Sequence, residues 1–221
     1  MTIKEQEASL FSDWRKTRKG FVADGVADED AYAKSHKKIL FIMKEANDPD
    51  GGGWDLREFM RQGGRPATWN NITRWVEGIR ALTGDIPADQ REAITQEQRR
   101  IDAVRTIAAM NLKKTPGGGT ANHAAIQKVA TEDGDYLSRQ FGIYDADIVI
   151  CCGATVGDLA YLCIKSPVPW KMTKNMVRYH EYKPGKYLIS YSHPAARGRG
   201  RSSKQMLDRL MDAIREIGVW R

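Results

Sequence analysis

A chain of 221 residues holds one large α/β domain or, at a stretch, two small ones. Its 41% hydrophobic content supplies one core of ordinary size, and no apolar run approaches the roughly 20 residues that a membrane helix needs. Three cysteines, two of them adjacent, exclude a disulfide framework and lack the CxxC spacing of a zinc or iron–sulfur site. Lys and Arg total 35 against 28 Asp and Glu, a surplus of 7 that permits a polyanionic partner such as nucleic acid and does not by itself demonstrate one. The N-terminus lacks the apolar core of a secretory signal, so a cytoplasmic protein is expected.

Ile3 to Arg18 reads as an amphipathic helix, with Ala8, Phe11 and Trp14 on neighbouring turns, and residues 1–36 as a helical N-terminal extension of a single domain spanning 1–221. Lys38 to Met43 (KILFIM) is a short unbroken apolar run, the pattern of a strand buried on both faces. Pro49-Asp50-Gly51-Gly52-Gly53 then forms a loop. Residues 55–62 and 68–82 read as helices, the second with Trp69, Ile72, Trp75, Val76, Ile79 and Leu82 along one face, and 95–105 as a solvated helix. Thr106 to Leu112 (TIAAMNL) is a second buried strand, closed by Lys113-Lys114-Thr115-Pro116 and three glycines. His123 to Gln140 reads as one helix, Asp147 to Cys152 as a third strand and Thr155 to Ile164 as a helix. Tyr187 to Tyr191 is a fourth strand, and Ser202 to Ile217 the closing helix.

Strands alternating with helices imply a single α/β domain whose central four-stranded, mainly parallel sheet is flanked by helices on both faces. Ligands of such sheets bind outside the carboxyl ends of the strands. The polar residues of this chain collect at those four ends: Lys44 to Asp48, Asn111 to Lys114, Gly153 to Thr155, and Ser192 to Arg197.

These segments carry a resemblance. The chain resembles the uracil-DNA glycosylase superfamily, and within it the bacterial and archaeal branch with a Gly-Glu-Ala-Pro-Gly first motif. Met43-Lys44-Glu45-Ala46-Asn47-Asp48 is similar to that motif with Glu and Ala kept. Met110 to Pro116 resembles the Asn-x-x-Lys-x-x-Pro segment, with the proline one residue early. Ile150 to Thr155 resembles the strand ending in Gly-Ala-Thr, and Ser192-His193-Pro194-Ala195-Ala196 the His-Pro-Ala motif. The matches fall in order between residues 38 and 197. The departures are equally specific: the branch's four cluster cysteines are missing, Lys44 replaces the leading glycine and Asn47 the proline, and Ala46 falls where other branches keep an Asp or Asn to position water.

The resemblance implies a uracil-DNA glycosylase-like fold and a monofunctional, cofactor-free DNA glycosylase acting on DNA as a monomer, with no metal. Such an enzyme flips a base into a pocket, reads its Watson–Crick edge and cleaves the N-glycosidic bond. Asn111 suits the reading, since its amide offers a donor and an acceptor side by side; the alternative is an Asn capping the strand end. His193, set by rigid Pro194, suits hydrogen bonding to the departing base anion, whereas His123 and His180 lack such a setting. Glu45 is the first candidate for stabilising the sugar cation or activating water, with Asp48 next and Asn47 as a neutral water-positioner; the alternative is an ion pair of Glu45 with Lys44 or Lys114. The family's stacking aromatic follows its first motif, which nominates Trp54 and Trp69, and Gly64-Arg65-Pro66 resembles the segment preceding it. Trp69 also fits a core stripe.

Backbone contacts to DNA are expected from Lys114, Gly118, Thr155, Arg197, Arg199, Arg201 and Lys204. The family's apolar wedge after the histidine motif is missing here, so arginine is the only side chain in that loop long enough to fill the gap left by a flipped nucleotide. Asp48 and Asp50 are the nearest approach to a magnesium site. Ala46 with Gly51 to Gly53 leaves room for a larger modified pyrimidine, such as hypermodified phage DNA carries, and so for a defence role beside repair. An inactive DNA-binding relative and a nucleotide-processing hydrolase are the competing classes.

Overall fold

The computed structural model describes residues 1–48, 51–83 and 95–219; Pro49 and Asp50 of the first loop lie outside the described residues. In chain order the elements are α1 (Ile3–Trp14), a 3-10 turn (Arg15–Thr17), β1 (Gly25–Val26), α2 (Glu29–Lys34), β2 (Ile39–Met43), α3 (Leu56–Arg61), α4 (Pro66–Thr83), α5 (Gln96–Arg105) and β3 (Ile107–Asn111). There follow α6 (His123–Glu132), α7 (Gly134–Tyr144), β4 (Ile148–Cys152), α8 (Ala154–Asp158), α9 (Tyr161–Ile164), β5 (Lys171–Met172), β6 (Arg178–Lys183), β7 (Lys186–Tyr191) and α10 (Ser203–Ile217).

The protein is α/β, with a mixed seven-stranded sheet in the order β1-β3-β2-β4-β7-β6-β5. β3, β2, β4 and β7 pair in parallel. β1 joins one edge antiparallel, and β6 and β5 extend the other edge antiparallel. The expected sheet of four strands is therefore corrected to seven. β1 and β5 are only two residues long, and β6 (RYHEYK) has no fully buried residue, so neither gives an apolar run. Two helix expectations change as well. The segment 123–140 breaks at Asp133 into α6 and α7, where the Asp133 carboxylate holds Arg18 and Gly134 follows. The segment 155–164 divides into the short α8 and α9.

Side chains alternate across a strand, and β2 shows both faces filled. Ile39, Phe41 and Met43 enter one core with Trp75 and Ile79 of α4, Val104 of α5 and Leu210 and Ile214 of α10. Leu40 and Ile42 enter the other with Leu10, Phe11 and Trp14 of α1, Leu137 and Phe141 of α7 and Leu162 of α9. The N-terminal 36 residues thus supply a sheet strand and a fully buried aromatic, Trp14.

The connections set the site. From β2 the chain crosses one face to β3 on one side, whereas from β4 it crosses the other face to β7 on the opposite side. Outgoing loops diverge between the carboxyl ends of β2 and β4, which is where sheets of this kind open a ligand crevice.

Candidate functional site

Lys44 follows β2 directly into that crevice. Its Nζ lies 2.9 Å from Nε2 of His123, the first residue of α6, and His123 Nδ1 lies 3.0 Å from Thr155 Oγ1 at the start of α8. An ammonium is a donor only, so His123 Nε2 accepts from Lys44 and Nδ1 carries the hydrogen donated to Thr155. The end of β2, the start of α6 and the start of α8 therefore contribute one linear chain of polar groups. Lys44 Cε also stands 3.6 Å from where a side chain on Gly153 would begin, across the β2–β4 boundary. Neither Lys44 nor His123 was nominated from the sequence. Lys44 figures in the sequence as a strand-end residue, a replaced motif glycine and a candidate partner of Glu45, and His123 lies 79 residues from it in the chain.

His193, just past β7, is half-buried. The Ala195 amide donates to its Nδ1 at 3.1 Å, which makes Nδ1 an acceptor and puts the hydrogen of the neutral ring on Nε2. Burial first, and the nearby Lys44 charge second, hold its pKa below the ordinary histidine value. At neutral pH the ring is thus uncharged, and Nε2–H has no hydrogen-bond partner among the described residues. His193 lines a cleft of about 350 Å³ together with Gly153, Tyr191, Arg178, Arg201 and Arg209. Arg178 is braced there by Ser190 Oγ, by Asp158 and by the face of Trp170.

The loop after β2 is fixed by pairing that continues beyond the strand. Asp48 N–H donates to Gly117 C=O at 3.1 Å, and Gly117 N–H to Ala46 C=O at 2.8 Å. The Glu45 carboxylate rests on the Gly117 backbone, where an added Cβ would come within 2.2 Å of it and push the carboxylate aside. Glu45 is paired with Lys113, not with Lys44 or Lys114. Asp48 Oδ2 accepts from Gly52 N at 3.0 Å and from the Trp54 indole N–H at 2.7 Å. That carboxylate orders its own loop, and Trp54 is held by it, edge-on to Phe59. Asn47 is exposed.

Two nominated residues, Lys114 and Trp69, are corrected, and a third, Asn111, gains an unexpected partner. Lys114 does not face DNA: it is fully buried, its Nζ bonded to both oxygens of Asp24 at 2.6 and 2.8 Å and set over the Trp14 ring. Burial pushes the Lys114 pKa down against the opposing pull of Asp24. Trp69 is not a stacking surface; it is 4% exposed, within the α4 core, with Gly64 laid against its ring. Asn111 is 2% exposed and donates through Nδ2 to Asp24 at 3.3 Å, while its backbone N–H donates to the same carboxylate at 2.7 Å. Its partner is the side chain of Asp24 rather than local backbone. Gln140 Nε2 adds a further donor to Asp24 and also reaches Tyr144 Oη.

The expected DNA contacts divide. Gly118, Arg197, Arg199, Arg201 and Lys204 are exposed, whereas Thr155 is taken up by His123. Lys204 pairs with Asp208, Arg197 bonds the Ala196 carbonyl, and the side chains of Arg199 and Arg201 make no bond among the described residues. Cys151, Cys152 and Cys163 are buried thiols, and burial raises all three pKa values. Among the described residues no three His, Cys, Asp or Glu side chains gather as metal ligands, and no helix is long and apolar enough to cross a membrane. No family model and no curated protein matches the chain.

Proposed function

We infer that the protein is a DNA glycosylase that flips a uracil or other modified pyrimidine out of DNA and hydrolyses its N-glycosidic bond, leaving an abasic site. The observation that carries this is the Ala195 amide on His193 Nδ1. It presents a neutral imidazole with an unpartnered Nε2–H at a cleft bordered by arginines. A departing base develops negative charge on its carbonyl oxygen, and a donor already aimed at that charge lowers the barrier without reorganisation. A neutral donor also does not bind the substrate's phosphates as a cation would.

The remaining roles follow from what each group has left to offer. Asn111 Nδ2 carries two hydrogens, and one is spent on Asp24, which fixes the amide plane for reading a base edge. Glu45, set on Gly117 and held in place by its ion pair with Lys113, is the carboxylate beside the sugar, and exposed Asn47 is free to orient water. Arg197, Arg199, Arg201 and Lys204 give a basic strip for phosphates. The small side chain of Ala46, where other branches of the superfamily the chain resembles keep a polar residue, favours a pyrimidine bulkier than uracil and a role in defence against modified DNA as well as repair.

The test is release of base from oligonucleotides bearing uracil or 5-substituted uracils, single-stranded and duplex, read as alkali-labile abasic sites. Abasic sites that disappear in His193→Ala support the reading. Binding without release from any of them identifies a DNA-binding relative, and consumption of free nucleotides alone identifies a nucleotide hydrolase.

A further inference from the structure

We propose that Lys44 is the nucleophile of a second, strand-cleaving activity, in which its amine attacks C1′ of an abasic deoxyribose and His123 moves the protons. This rests on the reading that the rim holds a nucleotide that has lost its base. Three features place the activity at Lys44. It sits at the β2–β4 divergence, 3.6 Å from the Cβ position of Gly153, which lines the cleft of the base-release donor, and within electrostatic reach of His193. Glu45, the next residue, is already neutralised by Lys113, which leaves Lys44 without a carboxylate partner among the described residues. Its Nζ is instead bonded to an imidazole nitrogen that accepts, and the opposite ring nitrogen is bonded to Thr155 Oγ1. A lysine held by a carboxylate is kept as a cation, whereas one held by an imidazole has a base to receive its proton.

The steps balance without any redox partner. His123 Nε2 takes a proton from Lys44, and the freed lone pair adds to the C1′ aldehyde carbon of the ring-opened sugar. Protonated His123 returns its proton to the carbinolamine hydroxyl, which leaves as water and gives a protonated imine between Nζ and C1′. Neutral His123 takes a proton from C2′, the C2′–H electron pair forms the C2′=C3′ double bond, and the 3′ phosphate leaves with the C3′–O pair. Water then adds at C1′, releasing the unsaturated aldehyde and returning the amine to Lys44.

The experiment gives the wild-type protein an oligonucleotide carrying a preformed abasic site, with sodium borohydride as reductant, and maps the covalent adduct by peptide mass spectrometry. The expected adduct lies on Lys44. It is lost in Lys44→Arg, while Lys16→Arg traps as wild type does. His123→Gln slows strand cleavage by about a hundredfold, the scale of one positioned proton-transfer group. An adduct spread over other lysines, full trapping by Lys44→Arg, or no trapping at all overturns the proposal. Mapping on the wild type decides the matter even if a variant fails to fold. The preformed abasic site needs no glycosylase step, so trapping at Lys44 with no base release retires the glycosylase reading alone, and base release without trapping retires this one alone.

Discussion

Lys114 Nζ donates to both carboxylate oxygens of Asp24, at 2.6 and 2.8 Å, and neither side chain is exposed to solvent. The pair joins the end of β3 to the segment entering β1, ninety positions apart in the chain. A buried ion pair is weak as a net source of stability, but removing one member strands the other charge. Lys114→Met is therefore expected to destabilise the protein by about 3–5 kcal/mol in denaturant unfolding. Adding Asp24→Asn to it should recover part of that loss, because no unpaired charge then remains. The salt dependence of DNA binding should not change in Lys114→Met. A reduction by one phosphate contact would return Lys114 to the DNA surface.

Asn111→Asp exchanges a donor to Asp24 for a second carboxylate beside it. Losing one buried hydrogen bond and leaving its acceptor short costs about 1–3 kcal/mol, and the new repulsion adds to it. The sign with pH follows from linkage. The introduced carboxyl has its folded pKa raised, so the penalty is present at neutral pH and disappears as pH falls through that raised value. Urea titrations of variant and wild type from about pH 7 down to about pH 4, toward the ordinary carboxyl pKa, should show the gap closing on acidification. A constant gap would mean that Asp24 does not feel position 111.

The pattern of what the sequence disclosed follows from periodicity. β2, β3, β4 and β7 were legible because strands covered on both faces are unbroken apolar runs. The adjacent Lys113 and Lys114 look alike in sequence, yet they differ completely. Pairing with the β2 side continues past β3 through Leu112 and Lys113. Alternation then sends Lys114 after Met110 and Leu112 toward Trp14, and Lys113 to Glu45. Only the partner, Asp24, decides that a lysine is buried, and no local pattern points to it. Lys44, His123 and Thr155 are likewise close only because the fold brings the ends of β2 and β4 beside the start of α6.

His193→Ala is expected to lower base release by about two to three orders of magnitude with little change in DNA affinity, since the lost donor acts mainly on charge formed in the transition state. Single-turnover assays with measured affinity separate the two. The same residue predicts a stability effect. Its folded pKa is depressed, so the unfolded chain binds the proton first and stability falls as pH drops below about 6.5, the ordinary histidine value. The loss ends once pH passes below the depressed folded value. His193→Gln should flatten that slope. His180, also depressed by burial and by Lys171, contributes in the same direction, so the comparison is best made in a His180→Gln background.

Arg199 and Arg201 occupy the same glycine-interrupted loop and make different predictions. Arg201 lines the cleft beside His193, whereas Arg199 is exposed and is not among the cleft residues. Flipping a nucleotide from a duplex leaves a gap in the stack, and a guanidinium can fill it by stacking while still bonding a phosphate. Single strands have no such gap. Arg199→Ala should therefore slow excision from matched duplex far more than from single-stranded substrate. Arg201→Ala should weaken binding to both forms alike and lower the slope of log affinity against log salt by about one phosphate contact. The two variants are compared by single-turnover rates on both substrates and by salt titrations of affinity. If both only weaken binding, with duplex and single-strand rates reduced in parallel, the loop serves as a basic tether and Arg199 is not a wedge.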